Sequence, residues 1–241
     1  MFRQVRFENR SFWRNPASAF FTFVFPLMFL VIFNLMFGDN SQFYVPAIAA
    51  FSVVTAGFTN IAMTTTFARD EGVLKRKRGT PLPSLAYIGG RVIQATLVAL
   101  LLVLIVAVFG SLFYNVKLPT DQIPILALTV GLGAVTFSSL GLAMTAAIPN
   151  ADAAPAVVNA ASLPLLFISD IFIPSDNAPP WLERVADIFP VRHYSLAMQS
   201  IFTPERMGGT GFRTSDLAVV ALWGIIGLVL AARFFSWEPR R

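Results

Sequence analysis

The sequence predicts an all-α membrane protein with six transmembrane helices, on three observations. The apolar residues fall in blocks of about 20, the length of helix that crosses the hydrocarbon of a bilayer. Charged residues make up 13% and hydrophobic residues 56% of the 241 positions, whereas a soluble domain carries about 25% charged residues. The basic residues also gather on one side of the implied membrane, the bias that marks a cytoplasmic face. The whole chain, 1–241, reads as a single transmembrane domain.

Residues 1–16 interleave Phe2, Val5, Phe12 and Trp13 with Arg3, Arg6, Arg10 and Arg14. The segment is too polar to span and predicts an amphipathic helix lying at the inner interface. A cleaved signal peptide would carry a shorter and earlier apolar run. The first span is 17–37, with Pro26 inside it; a membrane bundle tolerates such a proline when the freed carbonyl finds another partner. The second span, 45–66, contains Gly57, Thr59, Asn60 and Thr64–Thr66, small and hydroxylated residues suited to close contact between helices.

The third span, 92–114, follows Gly89, Gly90 and Arg91; its nearly pure aliphatic sequence is expected to face lipid over much of its surface. The fourth, 123–148, carries Gly131, Gly133, Ser138, Ser139 and Gly141, again a helix-packing pattern. Pro149, Asn150 and Asp152 make a short inner turn before the fifth span, 153–172, which contains Pro155 and Pro164. In the long connection from Ile173 to Asp216, residues 179–190 and 194–202 predict two short amphipathic helices at the outer interface. The sixth span is 217–235, with Trp223 and Trp237 placed to anchor its ends.

With both termini inside, the arginines of the first segment, Arg69, the run Lys75–Arg78, Arg91, Arg233, Arg240 and Arg241 share the cytoplasmic side. Lys117, Arg184, Arg192, Arg206 and Arg213 lie outside, where acidic residues balance most of them. The net charge of +5 therefore reads as a topology bias, with no nucleic-acid partner implied.

Between the second and third spans lies Phe67–Pro83, FARDEGVLKRKRGTPLP. It carries Arg69, Asp70, Glu71, Lys75, Arg76, Lys77 and Arg78. Such a cluster cannot cross hydrocarbon at tolerable cost. From Arg69 to Arg78 only Gly72 opposes a helix, by about 1 kcal/mol relative to Ala. Gly79, Pro81 and Pro83 then stop it. The expectation is a short charged helix and a hard turn on the cytoplasmic face, where a soluble partner delivers a signal or a force.

Catalytic chemistry is sparse. The chain has no cysteine and one histidine, so a His/Cys metal site and a disulfide are excluded. A phosphate loop of the form GxxxxGK[ST] is missing, and the chain should not hydrolyse nucleotide alone. Asp170, near the outer end of the fifth span, reads either as a functional intramembrane acid or as a helix end reaching interfacial water. His193 reads as an interface or surface residue or as a catalytic one.

The segment Arg69–Val92, RDEGVLKRKRGTPLPSLAYIGGRV, resembles the signature of the ABC-2 type permeases, the membrane subunits of ATP-driven exporters. The matching residues are Glu71, Gly72, Leu74, Lys75 with Arg76, Thr80-Pro81-Leu82, and Gly90-Arg91 at the start of the third span. Pro179–Phe202 is similar to the family's outer re-entrant region between the final two spans. The resemblance implies a cytoplasmic coupling helix in which Arg69, Asp70, Glu71, Gly72, Leu74, Lys75, Arg76, Thr80 and Pro81 serve contact with a separate ABC ATPase. By the same resemblance, ATP and Mg are expected in that partner, with no cofactor bound directly. The pathway is expected to be formed by two copies, or by this chain and a related permease, in the cell inner (plasma) membrane. The implied cargo is a drug, lipid or other amphipathic compound, and the resemblance lies toward the drug-export branch, with its link to antibiotic resistance. The run Lys75–Arg78 is more basic than is usual in the family, so anionic membrane lipid is an alternative contact. The competing readings are an assembly protein without transport activity and an intramembrane enzyme, for which Asp170 and His193 supply too few groups. Dependence of efflux on a co-expressed ATPase separates the exporter from both.

Overall fold

The computed structural model describes residues 2–37, 40–78, 84–174, 179–205 and 211–236. The Thr80–Pro81 turn, Trp237, Arg240 and Arg241 fall outside them. Among the described residues every regular element is helical: α1 (Phe2–Trp13), α2 (Pro16–Phe37), α3 (Ser41–Val54), α4 (Asn60–Asp70), α5 (Val73–Arg78), α6 (Ser84–Tyr114), α7 (Ile123–Met144), α8 (Ala154–Ile168), α9 (Pro180–Ala186), α10 (Pro190–Phe202) and α11 (Thr214–Phe234). Stretches of five apolar helices are long enough to cross a membrane: Ala19–Phe37, Ser41–Asp70, Tyr87–Tyr114, Thr120–Met144 and Thr214–Phe234.

The centre of the bundle is the second of these. α3 and α4 form one continuous helical rod through a π-turn at Thr55–Thr59, and 78% of its apolar window is buried. Small residues make that burial possible. A Cβ on Gly57 would meet Phe137 Cβ at 2.8 Å, and one on Gly141 would meet Phe58 O at 2.6 Å, so the π-turn and α7 touch backbone to backbone. On its other side α7 receives α11. Thr136 Oγ1 donates to Val220 O at 3.1 Å and Ser139 Oγ to Gly224 O at 3.3 Å. The hydroxyls thus serve carbonyls of a neighbouring helix where water is absent.

Around this centre α2 and α6 are less enclosed. α2 packs on α3 and α6 and leaves Phe20, Phe21, Phe25, Met28, Leu35 and Met36 exposed. Its one polar residue near the far end, Asn34, donates to Leu30 O at 2.8 Å and accepts from Ser41 Oγ at 2.6 Å. α6 buries Ala99, Leu102, Val103 and Val106 and exposes Leu97, Leu100, Leu104 and Leu112, as an aliphatic span between core and lipid would. It begins at Ser84, and Gly89 and Gly90 lie within it. α1 packs along α6 and the start of α2, with Trp13 stacked on Phe23 at 5.6 Å.

The segment expected as the fifth span departs most from expectation. α8 has only 15 residues, about 22 Å at 1.5 Å per residue, against about 30 Å of hydrocarbon. It stops at Ile168 because the chain turns at Asp170, whose φ is 54°, a left-handed conformation that a residue with a Cβ adopts only when its surroundings hold it there. The fourth span also ends early: α7 closes at Met144, and residues 145–153 form turns.

Candidate functional site

The end of the bundle that carries Arg69 is built around the last turn of α4. Arg69 is 1% exposed. Its Nη1 donates to Thr145 O at 2.9 Å, and its Nη2 to Ile148 O at 2.7 Å and Pro149 O at 3.3 Å. These carbonyls lie where α7 has ended and no further turn of helix supplies donors. Beside it Asp70 stands 3.6 Å from Arg69 Nε and accepts the N–H of Ala151. The α7–α8 turn is thus held by adjacent side chains of opposite charge, the guanidinium on its carbonyls and the carboxylate on an amide. Asn150 Oδ1 closes the turn by accepting the Ala153 N–H at 2.9 Å.

Arg91 ties the middle of α4 to α6. It is 8% exposed, and it donates to Thr64 Oγ1 and, at 2.8 Å, to the Tyr87 hydroxyl. A buried cation with hydroxyl partners is costly to move, so polar side chains join α4 to α6 at Thr64 and to the α7–α8 turn at Arg69 and Asp70.

Beyond Asp70 the rod breaks. The expected continuous helix from Arg69 to Arg78 is corrected here: α4 ends at Asp70, Glu71 and Gly72 form a turn, and α5 starts at Val73. The physical reason is the backbone of Gly72, whose φ of 70° suits a residue without a Cβ. Gly72 N donates to Arg69 O at 3.1 Å and Arg76 N to Gly72 O at 3.1 Å, which braces the bend on both sides. On α5, Leu74 is fully buried and pins the helix, while Glu71, Lys75 and Arg76 are exposed. Arg69 is therefore not part of an exposed contact surface, and Asp70 is turned toward Ala151. Thr80 and Pro81 lie outside the described residues.

The three glycines singled out on α7 differ. The space over Gly133 is filled by the ring of Tyr194, and that over Gly141 by the backbone of Phe58. A Cβ on Gly131 would meet no atom within 4 Å, so no close contact within this chain explains it.

The opposite end of the bundle holds a second set of charges. Arg192, on α10, donates from Nε to Asp170 Oδ2 at 3.0 Å and from Nη1 to Asp187 Oδ1 at 2.8 Å and Glu183 O at 3.1 Å. The backbone oxygen of Asp170 accepts from Ser195 Oγ at 2.7 Å and Gln199 Nε2 at 2.9 Å. These bonds hold the left-handed turn that ends α8. His193 lies 2.6 Å through Nδ1 from Asp216 Oδ1 and 2.9 Å through Nε2 from Asp187 O, and Arg213 also pairs with Asp216. Sequence reasoning missed this network because its members are scattered from 170 to 216; the balance of acidic and basic residues in that stretch was its one signal. No cluster of three or more His, Cys, Asp or Glu suited to a metal occurs among the described residues.

Between the two ends runs an apolar cavity of about 550 Å³, bordered by Phe58, Phe137, Met144, Leu165, Trp223 and Phe234 among others. Trp223, on its border, donates from Nε1 to Ile188 O at 2.9 Å.

The sequence pattern of the ABC-2 type transporter family matches residues 3–203. The chain is 26% identical over 228 residues to the ycf38 permease of Porphyra purpurea, covering 90% of this chain and 76% of that one. It is 25% identical over 232 residues to the daunorubicin resistance ABC transporter permease protein DrrB1 of Streptomyces coeruleorubidus, covering 90% and 78%. It is 24% identical over 245 residues to the inner membrane transport permease YadH of Escherichia coli K12, covering 92% and 90%.

Proposed function

The chain belongs to the ABC-2 type transporter family as a non-enzymatic, membrane-embedded transport permease, and from that premise we propose that it forms the translocation pathway of an exporter driven by a separate ATPase that docks on α5. The observation that carries this reading is the arrangement around Gly72. Glu71, in the turn, is exposed, as are Lys75 and Arg76 on the short helix α5, whose Leu74 is fully buried. A partner thus meets charged groups on a helix anchored to the bundle. ATP and Mg are bound in the partner.

In this reading α5 with its basic residues faces the cytoplasm, as do both termini, in the cell inner membrane. α8 with the turn at Asp170 counts as a short fifth crossing, α9 and α10 line the outer side, and six crossings result. The exposed aromatic face of α2 supports assembly with a second copy or a related permease. The apolar cavity and the likeness to a daunorubicin resistance permease support a drug, lipid or other amphipathic cargo.

The test is Glu71→Lys in the purified permease–ATPase pair reconstituted in liposomes. The side chain stays outside hydrocarbon, so insertion is retained. ATPase affinity, stimulated turnover or export should fall, by roughly 0–1 kcal/mol of binding if the contact stays at a rim and by several if it is buried on docking. Unchanged values for all three remove Glu71 from the docking surface.

A further inference from the structure

We infer that Arg69 is the positioning residue that carries movement of the α5 segment into α7 and α8, an assignment that rests on the proposed docking of an ATPase at α5. Covalent connectivity leads from α5 only to α4 and α6. The α7–α8 turn is 76 to 80 residues away in sequence from Arg69, yet three of its carbonyls are held by that one side chain. The backbone of the same residue receives the bend: Gly72 N donates to Arg69 O at 3.1 Å. Arg69 therefore meets the hinge through its main chain and the turn through its guanidinium.

The chemistry suits transmission of force. A guanidinium is a planar fork of donors in fixed geometry, so several bonds must break together before the turn can slip. Arg69 is 1% exposed and Thr145 and Ile148 are buried, so water is not at hand to replace the bonds to these two, and their loss would leave both carbonyls unpaired. Asp70 adds an acceptor for Ala151 N–H, so the turn is gripped at both polarities. Arg91, by contrast, ties α4 to α6 through Thr64 and has no bond to the turn among those described. The two arginines give α4 separate links to the two sides of the bundle.

The absence of cysteine allows clean spin labelling. Three pairs are used: Phe67→Cys with Asp152→Cys, Asp152→Cys with Trp181→Cys, and Phe67→Cys with Trp181→Cys. Pulsed electron-spin distances are measured on the permease–ATPase complex in lipid discs, with and without a non-hydrolysable ATP analogue. In the otherwise unmodified complex, both distances to 181 should shift with nucleotide while 67–152 stays constant. In Arg69→Met the 67–181 shift should persist, the 152–181 shift should be lost, and export per ATP hydrolysed should drop. A 152–181 shift that survives in Arg69→Met overturns the inference. If Arg69→Met fails to fold, Arg69→Lys, which keeps the charge but not the planar fork of donors, should reduce the same shift, and a full shift there overturns it equally. Absence of ATPase binding, or of any 67–181 shift in the unmodified complex, is a different result: it overturns the docking reading, and the inference with it.

Discussion

The ring of Tyr194 on α10 lies over Gly133 of α7 so closely that a Cβ would overlap Cε2 and Cζ. The ring also meets Phe137 edge-on at 5.2 Å between centroids. α10 is thereby seated in the bundle and does not float at its rim. Gly133→Leu should lower the unfolding temperature in detergent, with a cost of about 1–3 kcal/mol typical of overpacking. Adding Tyr194→Ala should recover part of the loss, whereas Gly131→Leu, facing open space, should change little in the isolated chain. An unaltered transition in Gly133→Leu would mean that the ring sits elsewhere.

Gly72→Ala should weaken the bend for a purely conformational reason. No atom lies within 4 Å of the added Cβ, but the backbone is left-handed, which costs about 1–2 kcal/mol for an L-residue. Gly72→Asn should be milder. Amide hydrogen exchange at residues 73–78 should quicken in the order Gly, Asn, Ala; equal rates would show that the bend tolerates a Cβ.

Arg192→Met leaves the Asp170 carboxylate buried without its cation and should destabilise the protein by about 3–5 kcal/mol. Asp170→Asn should cost less, because Arg192 keeps Asp187. The double variant should be less damaged than the sum of the two, the signature of a direct interaction. Thermal denaturation of the four proteins gives the coupling, and strict additivity would contradict the contact.

Orientation is tested with single cysteines at Asn40, Lys117, Lys77 and Asp152. An impermeant thiol reagent on intact cells should label the first two only. Labelling of Lys77→Cys from outside would invert the topology.

The five long spans were legible because a bilayer demands uninterrupted apolar runs, and the runs are present whatever their neighbours. The early end of α8 was not: nothing in Ser169-Asp170 forbids another helical turn until Arg192, Ser195 and Gln199 arrive from α10. The charged segment was located by its residues but its inner division was misjudged. Gly72 reads as a tolerable defect in a helix, and only its conformation makes it the joint. Arg69 was grouped with exposed neighbours because its partners are main-chain carbonyls, which have no letter in the sequence.

The π-turn at Thr55–Thr59 sets an angular phase between the two halves of the central rod. One wide turn takes up a residue more than an α-turn would, and each residue advances an α-helix by about 100°. Were all five residues to run as plain α-helix, everything beyond them would turn by about that angle. Thr64 would then point away from Arg91, and Arg69 away from the carbonyls of 145, 148 and 149, with every residue of α4 unchanged. The identity of Arg69 is thus useful only at this phase. Deleting one residue within Thr55–Thr59, which exchanges the wide turn for an α-turn and keeps the phase, should be tolerated better than deleting one between Thr64 and Arg69, where no wide turn can absorb it.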